Sequence, residues 1–224
     1  MAKKMNLDIQ LFNTSQDQWF DEAQQEALLR DTKAGLDELT TGTDELAKAI
    51  STLAENWHSP DAEKYGNPLV SSLKTFIKDS REYVSSITNW MATHGTKINT
   101  INGASVSFAG EEANTSIQIN DFRDDASRRG LTDVNTATST KTNLTNAVSS
   151  IEAALQTVMR AATSNQNALP QGVIPNSLVP TVTSENEKIK GSFDGVKTAV
   201  SNFTASLSDA ISSASSAASS STNN

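Results

Sequence analysis

The chain has 224 residues, a formal net charge of −8, 36% hydrophobic residues, two histidines and no cysteine. This length favours one extended domain or two small ones and excludes a large multidomain enzyme. The acidic balance disfavours phosphate backbones, so no nucleic-acid partner is expected. The lack of cysteine excludes disulfides, thiolate zinc sites and cysteine nucleophiles.

The N-terminal segment does not have the pattern of a cleaved signal peptide. Lys3 and Lys4 are followed by Asp8 and Gln10, which interrupt any apolar run. No stretch of about 18 apolar residues occurs elsewhere, so no stable membrane insertion is expected. If the chain leaves the cell, we expect it to do so without a cleaved leader.

The first long element is predicted to be a helix over residues 16–58. Ser15 and Gln18 have capping-box spacing at its start. Gly35 and Gly42 lie seven residues apart beside its apolar stripe, which fits either close approach of another helix or a tolerated solvated face. The stripe consists of Leu29, Leu36, Leu39, Leu46, Ile50, Leu53 and Trp57, and its spacings alternate between three and four once Thr32 and Thr43 fill the same register.

A sharp bend is predicted directly after Trp57, whose indole can close the end of a hairpin. Ser59 is a favoured N-cap residue, and Pro60 suits the first position of a helix. Gly66 and Pro68 would interrupt that helix, so a restart at Asn67 or a kink is expected there.

The second helix carries two neighbouring apolar stripes. One stripe is enough to pair with the first helix, so the other is expected to cover the second half of the chain or a second molecule. The first stripe contains Leu69, Leu73, Phe76, Tyr83, Ile87 and Trp90, and the second contains Val70, Ile77, Val84, Met91 and Ile98.

Residues 102–120 are predicted to form a connector, with short strands possible at 104–119 because apolar residues alternate there. A second helical hairpin is predicted over residues 121–211, with its turn marked by Pro170, Pro175 and Pro180. Residues 212–224, rich in Ser and Ala, are predicted to be disordered. The expected fold is all-α, an elongated four-helix bundle made of two antiparallel hairpins.

Residues 15–101 resemble the WXG (Esx-like) family of type VII secretion substrates, in which Trp-x-Gly lies at the bend of a helical hairpin. Here Trp57-His58-Ser59 occupies that place, followed by Pro60, Ala62 and the aromatic Tyr65; Ser59 replaces the family's glycine. The resemblance implies a non-enzymatic substrate or companion protein that folds in the cytoplasm and is secreted by the type VII route. It would act by helix–helix docking to a protein partner: the secretion machinery, an effector or a second copy.

The family's Tyr-x-x-x-Asp/Glu export signal is not present, since Leu69 lies four residues after Tyr65 and Ile87 lies four residues after Tyr83. Either export would then depend on a partner that bears the signal, or the chain would be a companion that docks on a larger effector. The residues predicted to form the bend and the partner-binding surface are Trp57, Ser59, Pro60, Ala62, Tyr65, Val70, Ile77, Val84 and Met91.

No catalytic, metal or cofactor site is predicted. His58, Ser59 and Asp61 are neighbours in a tight turn, whereas a hydrolase triad converges from distant segments. Two histidines without cysteine make zinc improbable, and the acidic residues lack the spacing of a calcium loop. Two other functions remain open: a structural coiled-coil component of a filament, virion or cell surface, and a helical pore-forming toxin.

Overall fold

The computed structural model describes residues 2–5, 18–102, 119–164 and 178–221. Within these ranges the chain is an all-α four-helix bundle, in which the first helix contacts the third and the second contacts the fourth, so the predicted fold class is confirmed. Two short antiparallel ribbons of two strands each accompany the helices. In chain order the elements are β1 (Ala2–Met5), β2 (Gln18–Asp21), α1 (Glu22–Asn56), β3 (Trp57–His58), α2 (Pro60–Asn102), β4 (Gly130–Leu131), α3 (Val134–Ser164) and α4 (Leu178–Ser221).

The first helix begins later than its sequence pattern predicts. Gln18, the predicted capping-box residue, lies instead in β2, where it pairs with Met5 of β1. The helix starts at Glu22 and ends at Asn56, two residues before its predicted end. Its predicted apolar stripe is confirmed, since all seven members are buried.

The described helices contribute to two compact units, residues 1–38, 82–113 and 153–187 in the first, and residues 39–81, 114–152 and 188–224 in the second. In the first unit, Tyr83, Ile87 and Val158 belong to the buried core. In the second unit, Phe76 of α2 meets Phe193 of α4 with ring centroids 5.4 Å apart. Each core is therefore built from facing helices.

Close approach of α1 and α3 depends on glycine. A Cβ added at Gly35 would lie 2.7 Å from Cγ2 of Val158, and one at Gly42 would lie 3.0 Å from Cγ1 of Ile151. Both glycines are buried, so close approach, and not a solvated face, is the role the structure gives them. On α3 the matching small residues Ala147, Ala154 and Ala161 are buried. The larger residues Val148 and Leu155, which the three/four spacing of apolar residues along this helix predicts to be buried, are only half-buried.

Helix α2 is continuous from Pro60 to Asn102, so the predicted restart at Asn67 is wrong. Pro68 lies inside it on the exposed side. There the carbonyl that loses its N–H partner is that of Lys64, four residues earlier, and an exposed carbonyl can bind water instead.

The C-terminal segment also differs from its prediction, because α4 continues to Ser221. Hydroxyls of Ser215, Ser216, Ser219 and Ser220 donate to carbonyls four residues earlier, and the alanines between them are strong helix formers. Pro180 lies in the first turn of α4, where its missing N–H is not needed. The strands predicted at 104–119, apart from residue 119, and the turn prolines 170 and 175 lie outside the described residues.

Candidate partner-binding site at the Trp57 bend

The chain doubles back at residues 56–60, here called the Trp57 bend. Helix α1 ends at Asn56 and α2 begins at Pro60. Asp44 and Arg81 interact electrostatically across the bend. On one continuous straight helix these two residues would be about 55 Å apart, at 1.5 Å per residue. Their interaction therefore requires the reversal that the Trp57 pattern predicts.

Ser59 and Pro60 start α2 in the way the sequence predicts. The Oγ of Ser59 accepts a hydrogen bond from the backbone N–H of Ala62 at 2.9 Å, which satisfies one of the free amides of the first turn. Asp61 and Glu63 place negative charge in that turn, where the helix dipole favours it.

Trp57 belongs to an aromatic cluster in which Phe203 contacts both Trp57 and Phe122. The Trp57 and Phe203 rings lie 5.4 Å apart at 62°, an edge-to-face arrangement, and Phe122 lies 5.0 Å from Phe203. Trp57 is 2% exposed and Phe122 is 1% exposed. Three distant parts of the chain thus bury their rings against one another at the bend.

Residues 119–133, here called the strap, lie across the Trp57 bend. Leu131 pairs with Trp57 and Gly130 pairs with His58 in the β3–β4 ribbon. Gly130 has φ of +121°, a conformation that side chains rarely adopt. The ribbon brings the strap backbone directly alongside the indole-bearing residue.

Phe122 packs against Gly66 of α2, where the lack of a side chain leaves room for its ring. A Cβ added at Gly66 would lie 2.2 Å from Cδ2 of Phe122 and 2.3 Å from its Cγ. Any larger residue at 66 would therefore displace the Phe122 ring. Gly66, which the sequence pattern suggests as a helix breaker, instead leaves a space on α2 that the Phe122 ring fills, here called the socket.

Two asparagines hold the strap by its backbone. Asn67 accepts from the N–H of Phe122 at 2.9 Å and donates to its C=O at 3.2 Å. Asn56 does the same for Asp133, with both distances 2.7 Å, and its own C=O accepts from the N–H of Thr132 at 2.9 Å. Each asparagine carboxamide thus donates one hydrogen bond to a strap residue and accepts one from the same residue, as the backbone of a neighbouring β-strand would.

The rim of the site is charged and exposed. Arg129 donates to both carboxylate oxygens of Asp124, at 2.8 and 2.6 Å, and this pairing lowers the pKa of Asp124. Lys74 of α2 binds Asp121 of the strap at 3.3 Å. Hydrogen bonds from Ser127 lower the pKa of Asp125. Exposed pairs of this kind contribute little to stability, so they orient the strap more than they fasten it.

The predicted partner-binding residues divide by exposure. The half-buried side chains are those of Ser59, Tyr65 and Ile77, and Pro60 is exposed. The buried residues are Trp57, Ala62, Val70, Val84 and Met91. Val70, Val84 and Met91 belong to the second apolar stripe of α2, so the chain itself covers the stripe at these three positions, which fits the expectation that the stripe packs against the second half of the chain.

Sequence reasoning did not identify Asn56, Gly66, Asn67, Phe122 or Asp133 as parts of this site. Asp133 has a detectable signal, because it is a favoured N-cap residue directly before α3 and accepts from the N–H of Asn135 at 2.9 Å. The other four act through contacts between residues 55 to 77 positions apart, which no local pattern reveals.

Reactive side chains at the bend are occupied in structural roles. The Oγ of Ser59 caps α2, and Nε2 of His58 lies 3.0 Å from the C=O of Glu55. In the ranges with placed side chains, no group of three His, Cys, Asp or Glu residues could hold a metal ion. None of the described helices is long and apolar enough to cross a bilayer.

Two other polar features lie away from the bend. In the second unit, a shallow groove of about 430 Å³ lies between α1 and α3, lined by Glu45, Lys48, Ala49, Thr52, Thr140, Asn143 and Asn146. In the first unit, burial and the nearby Glu185 raise the pKa of Tyr83, whose OH is buried without a hydrogen-bond partner.

Comparison with known proteins yields no assignment: no family model, no curated protein and no solved structure matches this chain.

Proposed function

We propose that the protein is a non-enzymatic, WXG-like substrate or companion of a type VII secretion system that acts by docking to a protein partner. The observation that carries this proposal is the position of Trp57, buried at the reversal between two long helices whose second member is capped by Ser59. The same residues, Trp57 and Ser59, occupy the Trp and Gly places of the family motif that the chain resembles.

The geometry of the bend supports a recognition role over a catalytic one. Nucleophilic catalysis needs a base oriented towards the nucleophile, and here Ser59 instead accepts from the Ala62 amide. A partner would first meet Pro60 and the half-buried Ser59 of the bend, together with the half-buried Tyr65 near the start of α2.

Secretion from the source cells tests the proposal. The tagged wild-type chain is expected in the medium, and deletion of the type VII system should abolish its release. Trp57→Ala removes the indole at the bend, and Trp90→Ala is the matched control because Trp90 is also buried, at 8% exposure, but lies in the first unit. Each truncation removes a buried indole and costs about 3–5 kcal/mol of stability.

We expect release of Trp57→Ala to fall at least tenfold below that of Trp90→Ala at equal intracellular levels and equal helical circular dichroism. Equal release of the two variants, or release that persists without the type VII system, would contradict the proposal.

A structural filament component is a second candidate, favoured by the end of α4. Residues 212–220 are helical yet exposed at every position except the half-buried Ala214. Helices of this kind usually gain their stability from packing, which neighbouring copies in a polymer could supply. Light scattering separates the candidates: polymers that grow with protein concentration favour the filament, and a discrete species favours the secreted protein.

A further inference from the structure

We propose that Asn56, Trp57, Gly66, Asn67, Lys74 and Phe203 form a binding groove for a peptide segment of a partner protein that carries an Asp-Phe pair, and that the strap occupies this groove within the chain. The inference rests on the proposed docking function and names the chemistry of the docked segment. It follows from how the strap is held, which is the way that proteins hold an exchangeable peptide.

Only one side chain of the strap is buried. Phe122 is the only buried residue among 119–133, and the others are half-buried or exposed. The ribbon contributes two residue pairs, and the ion pair of Lys74 with Asp121 is exposed. Release of the strap therefore removes one buried side chain and the backbone hydrogen bonds of Asn56 and Asn67.

The groove selects an aromatic residue at one position. Gly66 leaves a socket that the Phe122 ring fills, and Phe203 lies 5.0 Å from that ring. Lys74 lies 3.3 Å from the carboxylate of Asp121, the residue before the anchor, so the socket is preceded by a site for an acidic side chain. These two contacts define the Asp-Phe pair.

The contacts of Asn56 and Asn67 do not select a side chain, because they bind backbone atoms. Asn67 binds the N–H and C=O of the anchor residue itself, and Asn56 binds the N–H and C=O of a residue 11 positions further along. A partner segment that has the same backbone conformation, with its turn after Asp125 and a glycine at the place of Gly130, would make the same four hydrogen bonds. Affinity thus comes from the backbone and selectivity from the anchor, as in strand-addition complexes.

In the wild-type chain the strap is a tethered competitor, whose effective concentration is on the order of millimolar. A free peptide at micromolar concentration will therefore bind only when the strap anchor is removed. The chain variant for this purpose is Phe122→Ala, which empties the socket and retains Gly66, Asn56 and Asn67.

The test measures binding of a fluorescein-labelled peptide with the sequence of residues 119–133 by fluorescence anisotropy. We expect Phe122→Ala to bind this peptide at least tenfold more tightly than the wild-type chain does. The same peptide with Ala in place of its Phe should bind at least tenfold more weakly. Adding Gly66→Ala to the variant fills the socket and should abolish the preference for Phe, whereas adding Asn89→Ala, an exposed substitution elsewhere on α2, should leave it unchanged.

Equal affinity for the Phe and Ala peptides, or no binding to Phe122→Ala, overturns the proposal. If Phe122→Ala loses its helical circular dichroism, Phe122→Leu replaces it, with the same criteria. Hydrogen exchange of the wild-type chain provides a second measurement that needs no substitution. The amides of Phe122 and Thr132 should exchange at least 100-fold faster than those of Leu69 and Leu73, and exchange only by global unfolding also overturns the proposal.

These results are independent of secretion. Peptide binding without type VII release would leave the groove established and the proposed function contradicted, and release without peptide binding would do the reverse.

Discussion

Close packing of α1 against α3 predicts opposite outcomes for the same substitution at different glycines. In Gly35→Ala the new Cβ would lie 2.7 Å from Cγ2 of Val158 and 3.1 Å from its backbone nitrogen. Val158 is fully buried and β-branched, so neither atom can move without shifting α3. Overpacking of this kind costs about 1–3 kcal/mol. Alanine has a helix propensity about 1 kcal/mol better than that of glycine, so the free energy of unfolding should fall by up to about 2 kcal/mol in total.

Gly191→Ala is the matched control on α4. Nothing lies within 4 Å of the Cβ it would introduce, and the position is exposed. Only the propensity gain applies, so this variant should be more stable than wild type by about 1 kcal/mol. Gly42→Ala, with contacts of 3.0 and 3.3 Å to Ile151, should fall between the two.

Urea unfolding followed by circular dichroism measures all three variants against the wild-type chain. Gly35→Ala should unfold at lower urea concentration than wild type, and Gly191→Ala at higher concentration, with unchanged slopes. Equal stabilisation by Gly35→Ala and Gly191→Ala would show that α1 and α3 do not approach closely at Gly35, and the packing described above would be wrong.

Three further predictions concern single residues of the second unit. Burial raises the pKa of Asp44 above 3.8, and the charge of Arg81 offsets this only in part, so ionised Asp44 disfavours folding. Asp44→Asn should therefore raise the melting temperature at pH 7. In scans at decreasing pH this gain should vanish below about pH 3.8, because Asp44 is then protonated and both proteins are neutral at this site. A gain that persists below this pH would contradict the prediction. Hydrogen bonds from Thr136 and two backbone amides lower the pKa of Asp133. The stability that ionised Asp133 contributes is therefore fully present above pH 3.8 and is lost as the pH falls through the lowered pKa. Asp133→Ala should accordingly lower the melting temperature at pH 7 and have a smaller effect at pH 2, whereas a constant difference would point to a cause other than its charge. Gly130→Ala should destabilise the protein by about 1–3 kcal/mol in urea unfolding, because the residue has φ of +121° although no atom lies within 4 Å of the new Cβ; an unchanged midpoint would show that the strap adopts another backbone conformation.

The sequence predicts the helices well because their apolar residues recur along each element. Leu29 to Trp57 on α1 and Leu69 to Trp90 on α2 follow the helical period, and every predicted member of these stripes is buried. The bend is predictable for the same local reason, since the Ser59 cap and Pro60 act within one turn. Local patterns are thus sufficient where the cause is local.

The strap is not predictable in this way. Phe122 is an isolated aromatic in a polar segment, and its partner Gly66 lies 56 positions earlier in a sequence context that suggests a helix break. Only the folded chain shows that Gly66 accommodates a ring and that Asn67 holds its backbone. The burial pattern of α3 also depends on contacts distant in sequence. Gly35 and Gly42 of α1 bring α3 so close that alanines are buried there, whereas the apolar spacing of α3 predicts burial of the larger Val148 and Leu155.

The resemblance to type VII substrates remains a proposal, and its residues now have defined positions. Trp57 and Ala62 are buried, so they shape the bend and do not form its outer surface. A partner would meet Pro60 and Tyr65 directly, and would reach Trp57 only after the strap has moved.

The reversal at Trp57 is the claim on which the groove and the proposed function both depend, and a distance between two spin labels tests it most directly. The chain has no cysteine, so Lys48→Cys with Ser71→Cys, both at exposed positions, gives two unique labelling sites for electron–electron double resonance. Packed antiparallel helices have axes about 8–10 Å apart, so the labels should be separated by less than about 25 Å. A single distribution centred near 35 Å or beyond, as expected for one continuous helix at 1.5 Å per residue, would contradict the account.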